Sequence, residues 1–138
     1  MKIVEIKEQS IPFQSKIANS VVDFSQMTGS VVAIITDVIR EGKPVIGYGF
    51  NSIGRYAPSS TLRDRMIPRL LKAYNTDAAN VLDETGENLD PFKIWDVVMK
   101  NEKPGGHGDR AHAVGAIDMA VWDVVSKVEG KPLWRLLS

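Results

Sequence analysis

The sequence predicts an α+β fold in which a three-stranded antiparallel sheet is followed by helices. Two β-branched or apolar runs flank a short glycine-containing turn, and beyond residue 60 the apolar side chains change to helical spacing. Strands followed by helices are typical of α+β domains rather than of alternating α/β folds. The 138 residues are enough for one domain with a hydrophobic core, which we assign to residues 1–138.

The strands are predicted from alternation and from turn chemistry. Polar and apolar residues alternate from Lys2 to Ile6, and the run from 30 to 39 is β-branched and apolar. Residues 40–44 supply a turn, and a second apolar run follows at 45–50. These two runs predict a β-hairpin, and residues 2–13 supply the third strand.

The second half of the chain predicts helices. Apolar residues at helical spacing over 61–73 indicate a first helix, which Ser59 or Ser60 is placed to cap. Pro68 lies inside that pattern, and its missing N–H should kink the helix or open its first turns. The longest helical pattern runs from 109 to 128, and Gly130 follows as its C-terminal cap.

A shorter helix is predicted between these two. Asp90 followed by Pro91 gives an N-cap and a proline at the first helical position. Its apolar face is assigned to Phe92, Trp95, Val98 and Met99. The acidic residues before it lack the regular ligand alternation and closing glutamate of a calcium loop, so a solvated loop is the better interpretation; they are Asp83, Glu84, Glu87 and Asp90.

Composition excludes several classes of function. The chain carries 17 basic and 17 acidic residues, so it lacks the positive charge with which proteins bind nucleic acid. The absence of cysteine excludes a disulfide scaffold, a thiolate metal site and a cysteine nucleophile. No apolar run is long enough for a signal peptide or a membrane span, so we expect a soluble cytoplasmic protein with no membrane partner.

Few residues form a pattern that could carry chemistry. His107 and His112 are five apart, which is not the i, i+4 spacing of paired ligands, and no serine has a histidine at triad spacing. Gly47 and Gly49 lie in a strand without the helix that a dinucleotide-binding turn requires. The segment 104–108 precedes a helix, and three interpretations stay open: a flexible connector, an anion-binding nest and a lid over a ligand.

The last helix carries a longer and more specific pattern. Small residues leave little bulk on one side, so that the helix can lie close to its neighbours; they are Ala113, Gly115, Ala116 and Ala120. Polar and terminal positions complete the pattern; they are Asp118, Trp122, Asp123, Lys127, Gly130, Pro132, Leu133, Leu136 and Leu137. This string resembles the signature of the mandelate racemase and muconate-lactonizing family of the enolase superfamily. It differs at Ser126, where Gly or Ala is usual, and at Ser138, where a final Gly is expected.

The resemblance implies a particular domain and a particular chemistry. In that family an N-terminal capping domain, with three antiparallel strands followed by a helical bundle, precedes a β/α barrel, and this chain would lack the barrel. Family members abstract a proton next to a carboxylate, a magnesium ion stabilises the enediolate, and a dehydratase then expels hydroxide. The metal ligands and acid–base groups sit on the barrel, so Mg²⁺ is expected for the full enzyme with neither metal ligands nor catalytic residues in this chain.

The role that the resemblance implies for the cap is substrate selection. Two loops close over the barrel mouth in the family, and they correspond here to residues 15–29 and 51–59. Asn19 is placed to hydrogen-bond a hydroxyl or carboxylate of an acid sugar, and Lys103 to bind the carboxylate away from the metal. Arg55 is an alternative anion contact. Ile53 stands where tartrate-like members tend to carry Asn, and it cannot make that hydrogen bond.

Three segments, 51–56, 87–91 and 101–108, look like tartrate dehydratases of this family. The leading hypothesis is therefore the cap of a magnesium-dependent acid-sugar dehydratase, inactive alone, whose partners are its own C-terminal barrel, an acid-sugar substrate and further copies in a homo-oligomer. One alternative is the cap of a racemase or cycloisomerase of the family. Another is a non-catalytic stand-alone or split-gene interaction module, which should expose surfaces such as Trp134.

Overall fold

The strands and helices follow one another in the predicted order. The computed structural model describes residues 1–51, 56–103 and 108–138. Strands β1 (Ile3–Pro12), β2 (Thr28–Arg40) and β3 (Lys43–Phe50) form an antiparallel sheet in the order β1-β2-β3. The α-helices are α1 (Ser59–Thr61), α2 (Ile67–Thr76), α3 (Pro91–Met99), α4 (Asp109–Glu129) and α5 (Leu133–Leu136). The predicted α+β fold is confirmed.

The hairpin between β2 and β3 turns at two residues with left-handed backbone conformations. Glu41 has φ 50° and Gly42 has φ 74°, and Arg40 pairs with Lys43 across the turn. Two consecutive positive φ values match the right-handed twist of the strands that a tight hairpin joins. One face of the sheet is buried under the helices, with Val32 and Ile34 fully inaccessible at its centre.

The first long helical segment contains a π-helical turn directly before its proline. This turn spans Leu62–Met66 and joins α1 to α2, and the amide of Ile67 donates to the carbonyl of Leu62, five residues earlier. Pro68 has no N–H to complete the α-helical hydrogen bonding of the preceding turn, so the wider turn lets the helix continue. The prediction that Pro68 opens the helix is confirmed. The helix extends beyond the predicted 61–73 at both ends.

The N-terminal caps agree with the sequence for α3 but not for α1. Asp90 accepts hydrogen bonds from the amides of Phe92 and Lys93 at 2.9 and 3.1 Å, so it caps α3 as predicted. Helix α1 instead begins after Pro58, and no side chain caps it. The capping role predicted for Ser59 or Ser60 is wrong, and the Ser59 hydroxyl donates to Glu8 instead. At the other end of the chain, Gly130 ends α4 in the left-handed conformation, as predicted.

The buried face of α3 includes the predicted Val98, with Met99 partly buried beside it, but not the predicted aromatic residues. Ile94 and Val98 are buried against the core, whereas Phe92 is 74% and Trp95 is 43% exposed. Residues four apart share a helix face, so the pair 94 and 98 defines the core side. The Phe92 ring meets the Trp122 ring edge-to-face at 6.0 Å between centroids. This contact places the exposed aromatic group at the junction of α3 and α4.

Helix α4 lies against β3 at backbone contact. A Cβ atom added at Gly49 would overlap the carbonyl oxygen of Ala116, and one added at Gly47 would overlap the carbonyl oxygen of Ala120. The prediction that small residues bring the helix close to its neighbours therefore holds for Ala116 and Ala120. It fails for Gly115, where an added Cβ would meet nothing within 4 Å.

Two charged side chains of α4 occupy the open edge of the sheet. Strand β3 is an edge strand, so alternate amides and carbonyls point away from β2. Asp123 accepts from the amide of Tyr48 at 2.8 Å, and Lys127 donates to the carbonyl of Ile46 at 2.8 Å. Lys127 and Asp123 also pair with each other at 2.6 Å. This pair satisfies edge groups that would otherwise be open to another strand.

The longest helix among the described residues is α4, with 21 residues. In the described ranges, no helix combines enough length with enough apolar character to cross a bilayer.

The contact between α4 and β3 predicts opposite effects for two glycine substitutions. Gly49→Ala is expected to lower the free energy of unfolding by roughly 3 kcal/mol, at the upper end of overpacking costs, because its methyl group meets backbone that cannot move aside. Gly115→Ala is the matched control in α4 and should raise stability by about 0.5–1 kcal/mol. Urea unfolding measures both, and equal effects at the two positions would contradict the contact.

Candidate functional site

The segments predicted to face substrate emerge at one end of the sheet. Strand β1 ends at Pro12, β2 begins at Thr28 and β3 ends at Phe50, so the connections beyond these residues share that end. Helix α4 runs antiparallel to β3, since Ala116 lies at Gly49 and Ala120 at Gly47. The N-terminus of α4 therefore lies at the same end. We call residues 13–27 the first loop and residues 51–58 the second loop.

Asn19 shapes the first loop from within. Its side-chain oxygen accepts hydrogen bonds from the amides of Val21 and Val22, both at 2.8 Å, and its own amide donates to the carbonyl of Val22 at 2.8 Å. The side-chain oxygen is thus committed to a local turn. The residue is exposed, and its side-chain NH₂ has no hydrogen-bond partner among the described residues. Any contact that Asn19 makes to a ligand would be made by donation from this NH₂ group.

A second local turn stiffens the first loop. Asp23 caps a short 3₁₀ helix at Phe24–Gln26, and its carboxylate accepts from the amide of Ser25 at 2.9 Å. Hydrogen bonds from the Ser25 hydroxyl and amide lower the pKa of the Asp23 carboxyl. The loop closes where the amide of Phe13 donates to the carbonyl of Met27 at 2.9 Å.

The second loop is described only at its ends. Asn51 is buried; its side-chain oxygen accepts from the amide of Ser30 at 2.6 Å, and its amide donates to the carbonyl of Ser30 at 3.1 Å. At the other end, the amide of Ala57 donates to the hydroxyl of Thr28 at 2.9 Å. The predicted site residues Ile53 and Arg55 lie outside the described residues. The described ends of the loop are held by β2 at Thr28 and Ser30.

The two loops meet at Gly29. A Cβ atom at this position would lie 2.5 Å from the carbonyl oxygen of Asn51 and 2.9 Å from the ring of Phe13. Phe13 begins the first loop and Asn51 begins the second, so a side chain at Gly29 would force them apart. The start of β2 is therefore the shared support of both loops.

Lys103 follows α3 and is exposed. Its carbonyl accepts a hydrogen bond from the guanidinium of Arg110, while its side chain has no partner in the described part of the chain. The side chain of the preceding Glu102 is only 8% exposed and pairs with Arg65 at 3.4 Å and with Arg69 at 3.1 Å. These ion pairs fix the backbone next to Lys103 to the first helical segment. No contact within the described ranges joins Lys103 to Asn19.

A groove beside α4 was not predicted from the sequence. It encloses about 400 Å³ at the loop end of the sheet, and its lining residues are mainly apolar; they are Phe50, Asn51, Ala111, His112, Gly115, Ala116 and Met119. His112 therefore lies in a partly enclosed position near the loops. His107 and most of the glycine-rich segment 104–108 lie outside the described residues. The available signal in the sequence was a glycine inside the predicted helix, Gly115, and the structure has open space where a side chain there would lie.

The described residues do not fit a magnesium site. Across residues 1–51, 56–103 and 108–138, no three acidic or histidine side chains are grouped so that they could hold a metal ion. One acidic residue of the predicted solvated loop instead stabilises that loop by hydrogen bonds within it. Asp83 accepts from the amide of Glu87 at 3.1 Å and from the Thr85 hydroxyl at 2.9 Å.

Comparison with known proteins shows the family. The family model described as "Mandelate racemase / muconate lactonizing enzyme, N-terminal domain" matches residues 21–138. The chain therefore belongs to this N-terminal domain family of the enolase superfamily, as its last helix indicated.

Two relatives put this membership in context. The chain is 33% identical over 78 residues to a D-mannonate dehydratase of Caulobacter sp. (strain K31), a match that covers 56% of this chain and 16% of that protein. A solved mandelate racemase/muconate lactonizing enzyme-like protein from Rubrobacter xylanophilus aligns with a TM-score of 0.44 and 18% identity, over 98% of this chain and 32% of that one. The chain thus spans a minor part of the length of each.

The family motif contains a half-buried acid with a shifted pKa. Burial raises the pKa of the Asp118 carboxyl above its ordinary value. In the unfolded chain the group loses its proton near pH 4. The folded protein therefore binds more protons just above that pH, and this contribution to stability is lost as the pH rises through the raised pKa.

Asp118→Asn is expected to raise the free energy of unfolding at pH 7 relative to the natural chain, with little change at pH 3, where both side chains are neutral. Urea unfolding at the two pH values measures the difference. Asp96→Asn, at an exposed position of α3, is the control. If Asp118→Asn raised the free energy of unfolding equally at both pH values, the raised pKa of Asp118 would be contradicted.

Proposed function

We propose that this chain is the substrate-selecting cap of a magnesium-dependent acid-sugar dehydratase. Family membership and the likeness to a D-mannonate dehydratase support this proposal. The metal ligands and the acid–base groups belong, on this view, to a C-terminal β/α barrel. The cap alone would bind and orient substrate without converting it.

The observation that carries the proposal is the joining of the two loops at Gly29. A cap that selects substrate needs polar groups held in fixed positions relative to one another, because ordering them during binding would cost affinity. The start of β2 supports both loops through Thr28, Gly29 and Ser30. A loop pair with one rigid support is suited to close over a barrel mouth as a unit.

Two side chains have defined roles in this proposal. The Asn19 NH₂ group donates a hydrogen bond to a hydroxyl or carboxylate oxygen of the substrate, since its carbonyl oxygen is occupied within the loop. The Lys103 ammonium group pairs with the substrate carboxylate remote from the metal. Arg55 is the alternative anion contact. The magnesium ion supplies charge stabilisation from the barrel.

The substrate class is an acid sugar with several hydroxyl groups. The relative named a D-mannonate dehydratase favours a six-carbon sugar acid. The likeness of three segments to tartrate dehydratases favours a tartrate-like diacid, and the apolar Ile53 counts against tartrate itself. Both substrate types therefore belong in the test.

The proposal is tested with the cap joined to the barrel of its own gene. A panel of D-mannonate, other aldonates, aldarates and tartrates is assayed with magnesium for formation of the 2-keto-3-deoxy acid. Turnover of at least one acid sugar is expected. If none is dehydrated while the protein is folded and loaded with metal, the dehydratase proposal fails.

Lys103→Ala in the same enzyme is expected to raise KM about 10-fold with little change in kcat. A tenfold change corresponds to about 1.4 kcal/mol, within the range for a hydrogen bond to a charged group. Lys100→Ala is the control, since Lys100 is an equally exposed lysine at the end of α3. An unchanged KM for Lys103→Ala would remove this residue from the binding site.

A second candidate function is a non-catalytic interaction module, and one observation favours it. Trp134 is 66% and Leu137 is 61% exposed at the C-terminal end of the chain. Exposed apolar groups of this size promote association. If the chain acts as such a module, sedimentation of the 138-residue protein should show self-association that Trp134→Ser reduces, with Lys131→Ser as the control. A monomer at all concentrations would count against this function.

A further inference from the structure

Glu8 is a buried carboxylate at the support of both loops. Its side chain is only 1% exposed. One carboxylate oxygen, Oε1, accepts hydrogen bonds from the hydroxyls of Ser30 and Ser59, both at 2.7 Å. The other, Oε2, lies 3.2 Å from Nε of Arg63 in ion-pair geometry and accepts no hydrogen bond from the described residues.

The partners of Glu8 come from separate elements. Ser30 belongs to β2, Ser59 is the first residue of α1, and Arg63 lies in the π-helical turn. A buried charge is costly unless it is paired and hydrogen-bonded, so these elements keep the carboxylate stable only while they stay in place. Arg63 is itself 63% exposed and brings the balancing charge from the solvent side. Glu8 therefore ties the sheet to the start of the helical segment.

The same partners hold the loops. Ser30 is the residue whose amide and carbonyl bind Asn51, the first residue of the second loop. Ser59 follows that loop directly, two residues after Ala57, whose amide binds Thr28. Thr28 in turn directly follows the first loop. The carboxylate of Glu8 is thus hydrogen-bonded to Ser30, which fixes the first end of the second loop, and to Ser59, which directly follows the other end.

We propose that Glu8 is a positioning residue that keeps the described ends of the two loops in one fixed relation. It lies beneath the loops and acts through Ser30 and Ser59. Its consequence for substrate selection rests on the function proposed above. Its mechanical part, the fixing of the loop ends to β2, stands on this chain alone.

Glu8→Gln tests the proposal because it preserves shape and removes the charge that pairs with Arg63. The measurement is amide hydrogen exchange by NMR on the 138-residue chain. We expect exchange to accelerate at least 10-fold for the three amides that hold the loop ends: those of Ser30, Asn51 and Ala57. The amides of Val32 and Ile34, further along β2, should change less than 2-fold.

The matched control is Glu5→Gln, which removes an exposed carboxylate from the same strand and breaks only its ion pair with Lys7. It should leave all five amides unchanged. If Glu8→Gln accelerates the amides of Val32 and Ile34 as much as those at the loop ends, the residue is merely structural and the proposal is overturned. Unchanged loop-end amides overturn it equally.

If Glu8→Gln does not fold, Ser59→Ala tests the positioning role of Glu8 instead. It removes one hydroxyl donor to Glu8 and keeps the charge pair with Arg63. The amides of Asn51 and Ala57 should again exchange faster, while those of Val32 and Ile34 should not. Equal acceleration at all four amides would overturn the proposal.

In the enzyme with its barrel, Glu8→Gln should raise KM about 10-fold and leave kcat within 2-fold, because the chemistry lies elsewhere. A fall in kcat with unchanged KM would overturn the role in substrate selection. Absence of turnover in the natural enzyme would contradict the proposed function, while the exchange result would still decide the mechanical role.

Discussion

The backbones of α4 and β3 are in direct contact, and the arrangement of the sheet end that carries both loops depends on that contact. Gly47 and Gly49 remove side chains from the strand, and Ala116 and Ala120 nearly do so from the helix. At this separation a helix has little freedom to slide or rotate, because main-chain atoms cannot change rotamer to relieve a clash. The distance of α4 from β3 and its direction along the strand are therefore both fixed.

Two consequences of this fixed position reach the candidate site. The N-terminal part of α4 is held beside Phe50 and Asn51, at the end of the sheet where the two loops begin. Further down the helix, Asp123 and Lys127 come within hydrogen-bonding distance of the β3 edge. The family motif thus has two structural roles: its small residues pack against β3, and its charged residues hydrogen-bond the open edge of that strand. Asp123 and Lys127 of the motif are explained by their hydrogen bonds to the sheet edge.

Local signals predicted much of this fold, and contacts between distant residues account for what was missed. The hairpin, the Asp90 cap and the Gly130 stop depend on neighbours within a few residues, so the sequence shows them directly. The aromatic residues of α3 suggested the wrong buried face, because side-chain size was weighed above position in the helix. Glu8 gave no signal, since its partners lie 22 to 55 positions away and are ordinary surface residue types. For the candidate site, the sequence could not show that Asn19 uses its side-chain oxygen within the first loop, because that depends on the turn which the loop adopts.

The π-helical turn at Leu62–Met66 sets a rotational phase as well as accommodating a proline. Each residue advances an α-helix by about 100° around its axis, so the extra residue in this turn determines which way every later side chain points. If the turn closed to ordinary α-helix with every residue kept, the later side chains would rotate by about 100° and Leu70 would leave the core. Arg69 would turn away from Val98 and Glu102, and the backbone leading to Lys103 would lose its attachment to α2. A change that converts this turn to ordinary α-helix would therefore preserve helical character while releasing a segment more than thirty residues away.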